Sequence, residues 1–372
     1  MRLTKFELLV GAPAFWKTAE ADIARARRRV LVQAMTWEGD SAGLAVADAV
    51  IASGAADRRV LVDDYSRLVI SDRWVGGTPE TLEPALRDEL AATHAMFASL
   101  IAAGVGVRRT NPVGPGLINY PARNHKKLIV ADDAAYIGGI NFSDHNFAWH
   151  DFMLRIEGAE VADWLAEDFA ATFAGVPRAG SIAGPSLSLY SMDGRSNSVI
   201  FAQIAERIAG ARQEITVISP YLTFPVTDML AAAARLGVRV RLITPWASNK
   251  PTVRDYLFSV ADRSGFEVTP LAEMIHLKGI LIDGEQLLVG STNFDFVSLA
   301  AEEEYLAVVT DAALIADFQA RIIVPVLASA MPMEGCKVST IAAVRASVAL
   351  RIAQCFAVSR RGAPRTAVEW AS

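Results

Sequence analysis

Two stretches of the sequence, Asn124–Asp132 (NHKKLIVAD) and Ile275–Asp283 (IHLKGILID), carry the same arrangement. In each, Lys follows His by two positions and Asp follows it by seven, giving His125, Lys127 and Asp132, then His276, Lys278 and Asp283. The two histidines are 276 − 125 = 151 residues apart, and each set is trailed by a Gly/Asn element, Gly138-Gly139-Ile140-Asn141 and Gly290-Ser291-Thr292-Asn293. The chain has only five His, and one His meets Lys and Asp at those offsets by accident roughly once in a thousand. The repetition therefore reads as a duplicated functional motif in an enzyme.

The apolar residues inside the motif fix its setting. LIVAD and GILID are apolar, partly β-branched runs that predict buried strands, with His and Lys where the strand starts. Side-chain alternation puts two residues spaced by two on one face. Working outward, five strands are predicted in the first half, near Val30–Thr36, Val60–Asp64, Val105–Arg109, Lys127–Val130 and Ala135–Gly138. Five more follow at Ile215–Ser219, Val238–Thr244, Phe266–Pro270, Gly279–Asp283 and Gln286–Val289. TDMLAAAARLG, ending on Gly237, predicts a helix with a glycine stop. The Pro/Gly/Ser-rich GVPRAGSIAGPS separates the halves. The expected organisation is a lobe over 1–176, a linker over 177–190, a second lobe over 191–328 and an extension over 329–372.

These residue types suit phosphodiester chemistry. One imidazole attacks phosphorus while a second protonates the departing alkoxide, so two histidines are needed. Two lysines supply charge to the phosphoryl oxygens, and Asn141 and Asn293 offer amide donors to the substrate phosphate. Asp132 and Asp283 either orient and charge-balance their lobes or cap the strands. The glycines let the backbone approach the phosphate closely.

These residues resemble the phospholipase D superfamily, whose signature is a duplicated HxKxxxxD followed by G-G/S-x-N, and within it the bacterial cardiolipin synthases. The likeness spans about residues 5–325, including RVLVQAMTWEGDSAGLAVADAVIASGAADRRVLVDD, PARNHKKLIVADDAAYIGGINFSD, SPYLTFPVTDMLAAAARLGVRVRLITP and GSTNFDFVSL. It implies an α/β fold, a tandem pair of α/β/α sandwich lobes with the active site at their interface. It implies a covalent phosphohistidine mechanism without metal or organic cofactor, His125 as nucleophile and His276 as acid/base, though the sequence leaves that order open. Transphosphatidylation of phosphatidylglycerol to cardiolipin is the expected reaction, with hydrolysis of phospholipid to phosphatidic acid as the alternative and a nuclease third. Asp151 looks like the acidic residue contacting the first-lobe His, and Glu304 falls at the family's Glu position, with Gly139 and Ser291 in support. The chain departs from the synthase pattern at Val297, where Arg is common, and at Glu302, where Asn is. Two of Glu302, Glu303 and Glu304 are expected to form a solvated acidic patch.

Composition agrees with a large globular enzyme: 52% of the 372 residues are hydrophobic and 21% charged, enough for a sizeable core. The net charge of −5 argues against nucleic acid as a partner. ARARRRV, Ala24–Val30, reads as an exposed basic helix face, with an anionic-lipid contact as the lesser reading. Cys336 and Cys355 form no metal or disulfide pattern, which fits a reducing cytoplasm, and His145 and His150 read as loop residues rather than metal ligands. No cleavable leader and no membrane-spanning helix are expected. A phospholipid substrate then requires peripheral contact with the anionic inner face of the cell membrane. The stretch VSTIAAVRASVALRIAQCFAVSRRGAPR is either a flat-lying amphipathic helix or a helix packed on the second lobe, with residues beyond Gly362 disordered. One copy of the chain suffices for catalysis, since both motifs lie in cis; the oligomeric state is open.

Overall fold

In the computed structural model, which describes residues 5–76 and 81–370, the chain forms two compact units, 1–178 with 363–372, and 179–362. In the first unit the strands are β1 (Lys5–Val10), β2 (Arg29–Ala34), β3 (Asp57–Asp63), the small pair β4 (Val69–Ile70) and β5 (Arg73–Trp74), β6 (Gly106–Thr110), β7 (Leu128–Ala131), β8 (Ala134–Gly138) and β9 (Phe152–Glu157). The helices are α1 (Ala12–Arg25), α2 (Ser41–Ala52), α3 (Pro84–Ala102), α4 (Asp144–Ala148) and α5 (Ala159–Phe173). The second unit holds β10 (Gly180–Ala183), β11 (Leu187–Asp193), β12 (Glu214–Ile218), β13 (Arg239–Pro245), β14 (Glu267–Leu271), β15 (Gly279–Ile282), β16 (Gln286–Gly290) and β17 (Glu303–Val309). Its helices are α6 (Ser198–Ala209), α7 (Val226–Arg235), α8 (Pro251–Ser264), α9 (Phe296–Ala300), α10 (Ala312–Phe318), α11 (Val324–Ala328) and α12 (Thr340–Ser359). Strand β18 (Ala367–Glu369) closes the chain.

The two large sheets repeat one topology. The first runs β1-β9-β8-β7-β2-β3-β6-β18 and the second β10-β11-β17-β16-β15-β12-β13-β14. In both, three strands are parallel to one another (β2, β3, β6; β12, β13, β14), and the motif strand (β7; β15) joins them antiparallel. All ten predicted strands are present with ends shifted by a few residues, and α7 stops with Gly237 just beyond it at φ 91°. A glycine there takes the left-handed conformation without a Cβ penalty.

Alternation places the core. Val30, Val32 and Ala34 of β2 pack with Phe15, Val46 and Phe97 from α1, α2 and α3. Val60 and Val62 of β3 join the same cluster, whereas Arg59, one position before Val60 and so on the opposite face, lies 5.8 Å from the ring of Phe169 on α5. Helices therefore cover both faces of the first sheet, the three-layer arrangement expected for each lobe.

Several expectations are corrected. The predicted linker contains strand β10, which pairs antiparallel with β11, so the second unit starts at Ala179 rather than 191. The tail beyond Gly362 is ordered rather than disordered: β18 pairs antiparallel with β6, and Trp370 packs 3.9 Å from Phe97. Arg27, Arg28 and Arg29 lie beyond the end of α1 instead of on a basic helix face. Three of the four arginines of the stretch meet acidic partners, Arg25 bonded to Asp22, Arg28 to Asp133 and Arg29 to Asp163, while the Arg27 guanidinium donates to the Ala24 and Ala26 carbonyls. Glu302, Glu303 and Glu304 are 7%, 1% and 0% exposed, so none of them forms a solvated patch. Finally, α12 is long and apolar enough to cross a membrane by length and composition, which the sequence reading did not anticipate.

Candidate active site

In each unit the motif histidine and lysine precede a central strand, and all four side chains are buried: His125 and His276 are each 5% exposed, Lys127 0% and Lys278 1%. Lys127 Nζ donates to the His125 carbonyl at 2.8 Å, and Lys278 Nζ to the His276 carbonyl at 2.6 Å. The Lys278 ammonium also lies 2.7 and 2.8 Å from the two His276 ring nitrogens, so His and Lys do share a face there. Tyr221 flanks this pair, its ring 5.7 Å edge-on to His276 and 5.6 Å from Lys278 Nζ, and its hydroxyl donates to Asn249 Oδ1 at 2.9 Å. The aromatic face of Tyr221 and the His276 imidazole thus hold the buried Lys278 ammonium in place beside the histidine.

The motif aspartates serve the fold instead of the reacting centre. Asp132 Oδ atoms accept from the backbone N–H groups of Arg27, Arg28 and Arg29 at 2.9, 2.8 and 3.0 Å. Asp283 accepts from Arg212, Gln213 and Glu214 at 2.8, 2.8 and 3.0 Å. Both stand at the far end of the motif strand from His, in the left-handed region at φ 50° and 52°, a conformation Asp tolerates better than most residues. Each carboxylate thus pins the turn leading into the neighbouring parallel strand. Replacing Asp283 by Ala should cost about 2 kcal/mol of stability through these charge-assisted bonds while sparing the reaction itself. Burial opposes ionisation of both carboxyls, but the backbone donors and the adjacent Arg28 or Arg212 outweigh it and hold them below the ordinary 3.8. Their contribution is therefore complete above that value and lost as pH falls through the lower folded-state value. Thermal melts from neutral pH into acid should show wild type and variant converging.

Behind the histidines lie the Gly/Asn elements. A Cβ on Gly139 would sit 2.4 Å from Asp151 Oδ2, and one on Gly290 would sit 2.2 Å from the Tyr305 carbonyl. The close approach that these glycines permit is to the protein's own chain, which revises the expectation of an approach to phosphate. Asn141 Oδ1 accepts from Thr36 N at 3.3 Å, whereas Asn293 Oδ1 is buried without a hydrogen-bond partner among the described residues. The acidic residues occupy matched positions: Asp151 is two before Met153, which pairs with Gly138, and Glu304 is two before Leu306, which pairs with Gly290. Asp151 Oδ1 accepts from Phe152 N at 2.8 Å. Glu304 takes a bond from Ser291 Oγ and another from Ser298 Oγ at 3.0 Å, and Glu302 lies 3.2 Å from the same Ser298 Oγ. Beneath them Asp295 caps α9, and burial, with Glu304 nearby, pushes its carboxyl up to about 6.

Sequence reasoning missed three supports. Lys126 turns away from the motif face and donates to Asp168 on α5 at 2.7 Å, both fully buried. Arg123 and Asn124 N both bond Asp63, at 2.7 and 2.6 Å, and Gln33 donates to Asn124 Oδ1 at 2.8 Å, fixing the segment before His125. Glu38, Asp40 and Glu89 gather in the first unit, where burial pushes Glu38 up to about 9, so a shared proton lets the carboxyls coexist. His145, 3.7 Å from Glu38, bonds Ser143 Oγ at 3.1 Å and Asn146 Nδ2 at 2.7 Å, and it lies in the short helix α4 rather than in the loop expected from the sequence.

Comparison with known proteins agrees with this geometry. Residues 204–323 match the family model described as cardiolipin synthase, PLD-like domain. The chain is 31% identical over 224 residues to the minor cardiolipin synthase ClsB of Bacillus subtilis, covering 54% of this chain and 55% of that protein. It is 26% identical over 344 residues to cardiolipin synthase B of Escherichia coli K12, covering 82% and 76%. The chain thus spans little more than half the length of the Bacillus relative. Among solved structures, phosphatidylserine synthase of Haemophilus influenzae shares the fold at a TM-score of 0.69 and 15% identity over 94% of both chains. Residues 204–323 of the second unit therefore carry a PLD-like domain, in a chain similar to bacterial cardiolipin synthases.

Proposed function

We propose that the protein is a phosphatidyltransferase that forms cardiolipin from phosphatidylglycerol through a covalent phosphohistidine. The observation that carries this reading is the pair of complete, buried His/Lys sets in a chain related to cardiolipin synthases. His125, as nucleophile, attacks phosphorus and displaces glycerol, which takes a proton from His276. His276 then removes the proton from the incoming hydroxyl of a second phosphatidylglycerol, whose oxygen displaces His125. Lys127 and Lys278 neutralise the charge that builds on the phosphoryl oxygens, and Asn293 contributes N–H donors. Asp151 and Glu304 position the histidines from below. Because both substrates are lipids, the chain works from a peripheral position on the cytoplasmic face of the cell membrane.

The test is to incubate purified protein with phosphatidylglycerol in mixed micelles and follow products by mass spectrometry. Cardiolipin and glycerol should appear together and vanish with His125→Ala. Phosphatidic acid as sole lipid product would assign the chain to hydrolysis. Absence of any product from phosphatidylglycerol would overturn the donor assignment.

A further inference from the structure

Helix α12 presents two unlike long faces. Ala346, Leu350 and Ala357 are buried in the second unit's core, and Arg351 reaches to 3.7 Å from the Phe224 ring, so one seam is committed to protein. At 100° per residue, Ile341, Val344, Val348, Ile352 and Phe356 fall within an arc of about 120° on the opposite side. They are 73%, 57%, 54%, 67% and 44% exposed. With Val358 they make six of the sixteen exposed large apolar side chains among the described residues, so apolar exposure concentrates on this one helix. Basic residues lie on the helix and at both of its ends. No Asp or Glu lies between Glu334 and Glu369, while Arg345 and Arg351 sit on α12, Lys337 before it and Arg360 just after it, in a chain whose net charge is −5.

We infer that α12 is a docking helix that lies flat on an anionic lipid bilayer, its apolar stripe at the acyl boundary and Arg345, with Lys337 and Arg360 at its two ends, among the headgroup phosphates. An apolar stripe flanked by long basic side chains that reach outward is the chemistry of an interfacial helix. A second copy of the chain fits less well, because a two-fold contact along the stripe would bring Arg345, which lies within it, towards its own copy. Crossing the bilayer would carry Arg345 and Arg351 into hydrocarbon and tear Leu350 from the core. The choice of lipid as partner rests on the proposed reaction, but its test does not.

Cys355 is exposed beside the stripe and Cys336 is buried, so the full chain carries one addressable thiol for an environment-sensitive fluorophore. Phosphatidylcholine vesicles containing phosphatidylglycerol should shift its emission to the blue and shield it from an aqueous quencher, less so at high salt. Vesicles of phosphatidylcholine alone should do neither. In flotation, V348E/I352E should lower the vesicle-bound fraction about tenfold or more while turnover of a short-chain, monomeric phosphatidylglycerol stays unchanged. Both positions are exposed, so folding is not at issue. Equal flotation of wild type and variant, a fluorophore that vesicles leave unshielded, or a solution dimer that buries Cys355 would each overturn the inference. Flotation without turnover would leave docking standing and remove the proposed reaction; turnover of monomeric lipid without flotation would do the reverse.

Discussion

His125→Asn and His276→Asn should each lower turnover of phosphatidylglycerol by about 10⁴-fold, with folding intact, yet they should part company on an activated substrate. Asn approximates the shape of imidazole near the backbone but neither attacks phosphorus nor shuttles a proton at neutral pH. Losing the nucleophile removes the covalent step for every leaving group. Losing the acid matters only where the leaving oxygen needs a proton, and a p-nitrophenolate does not. On a p-nitrophenyl phosphodiester, His276→Asn should therefore form the phosphohistidine at a rate near that of wild type and then stall. His125→Asn should be inert with both substrates. Acid-labile, base-stable radiolabel retained on His276→Asn and absent from His125→Asn would fix the order of roles. The opposite pattern would exchange them, and equal loss on both substrates would remove the two-histidine division of labour.

How much of this was legible before the fold was known depends on which forces act locally. The ten predicted strands were readable because each carries a short apolar, β-branched stretch flanked by turn signals, and in β7, β8 and β15 burial on both sheet faces is written into the run. The motif histidines and lysines stood out because their spacing repeats. Strands β1, β9, β11 and β17 were not. Arg155 in β9 and Glu303 and Glu304 in β17 break the apolar pattern, and their places are set by pairing with residues far along the chain. The tail strand β18 depends on a partner more than 250 residues away, where Ala367 meets Thr110. Asp132 and Asp283 illustrate the subtler failure. Their spacing from His marks them as part of the motif, but only the three backbone donors converging on each carboxylate reveal that they hold the sheet together.

The same distinction governs Lys126, which spacing gave no reason to single out. Its ammonium and the Asp168 carboxylate are 0% exposed and 2.7 Å apart, tying the backbone beside His125 to α5. Removing one member of such a pair leaves an uncompensated buried charge, at about 3–5 kcal/mol. The two removals are unequal, however. Asp168 keeps Arg178 Nε at 4.0 Å, so Lys126→Met leaves the carboxylate a second cation, whereas Asp168→Ala leaves the ammonium without its carboxylate. Asp168→Ala should therefore be the more damaging, lowering the melting temperature by about 10 °C at the usual few degrees per kcal/mol. Lys126→Met should cost less, and the double variant Lys126→Met/Asp168→Leu should recover most of the loss, since an apolar pair of similar volume pays no desolvation. Because Lys126 adjoins His125 in sequence, turnover in Asp168→Ala should fall further than stability at the assay temperature explains, and should return in the double variant. A double-mutant cycle with no coupling energy would show that the pair does not hold the motif, and that Arg123 and Asn124 on Asp63 position His125 without it.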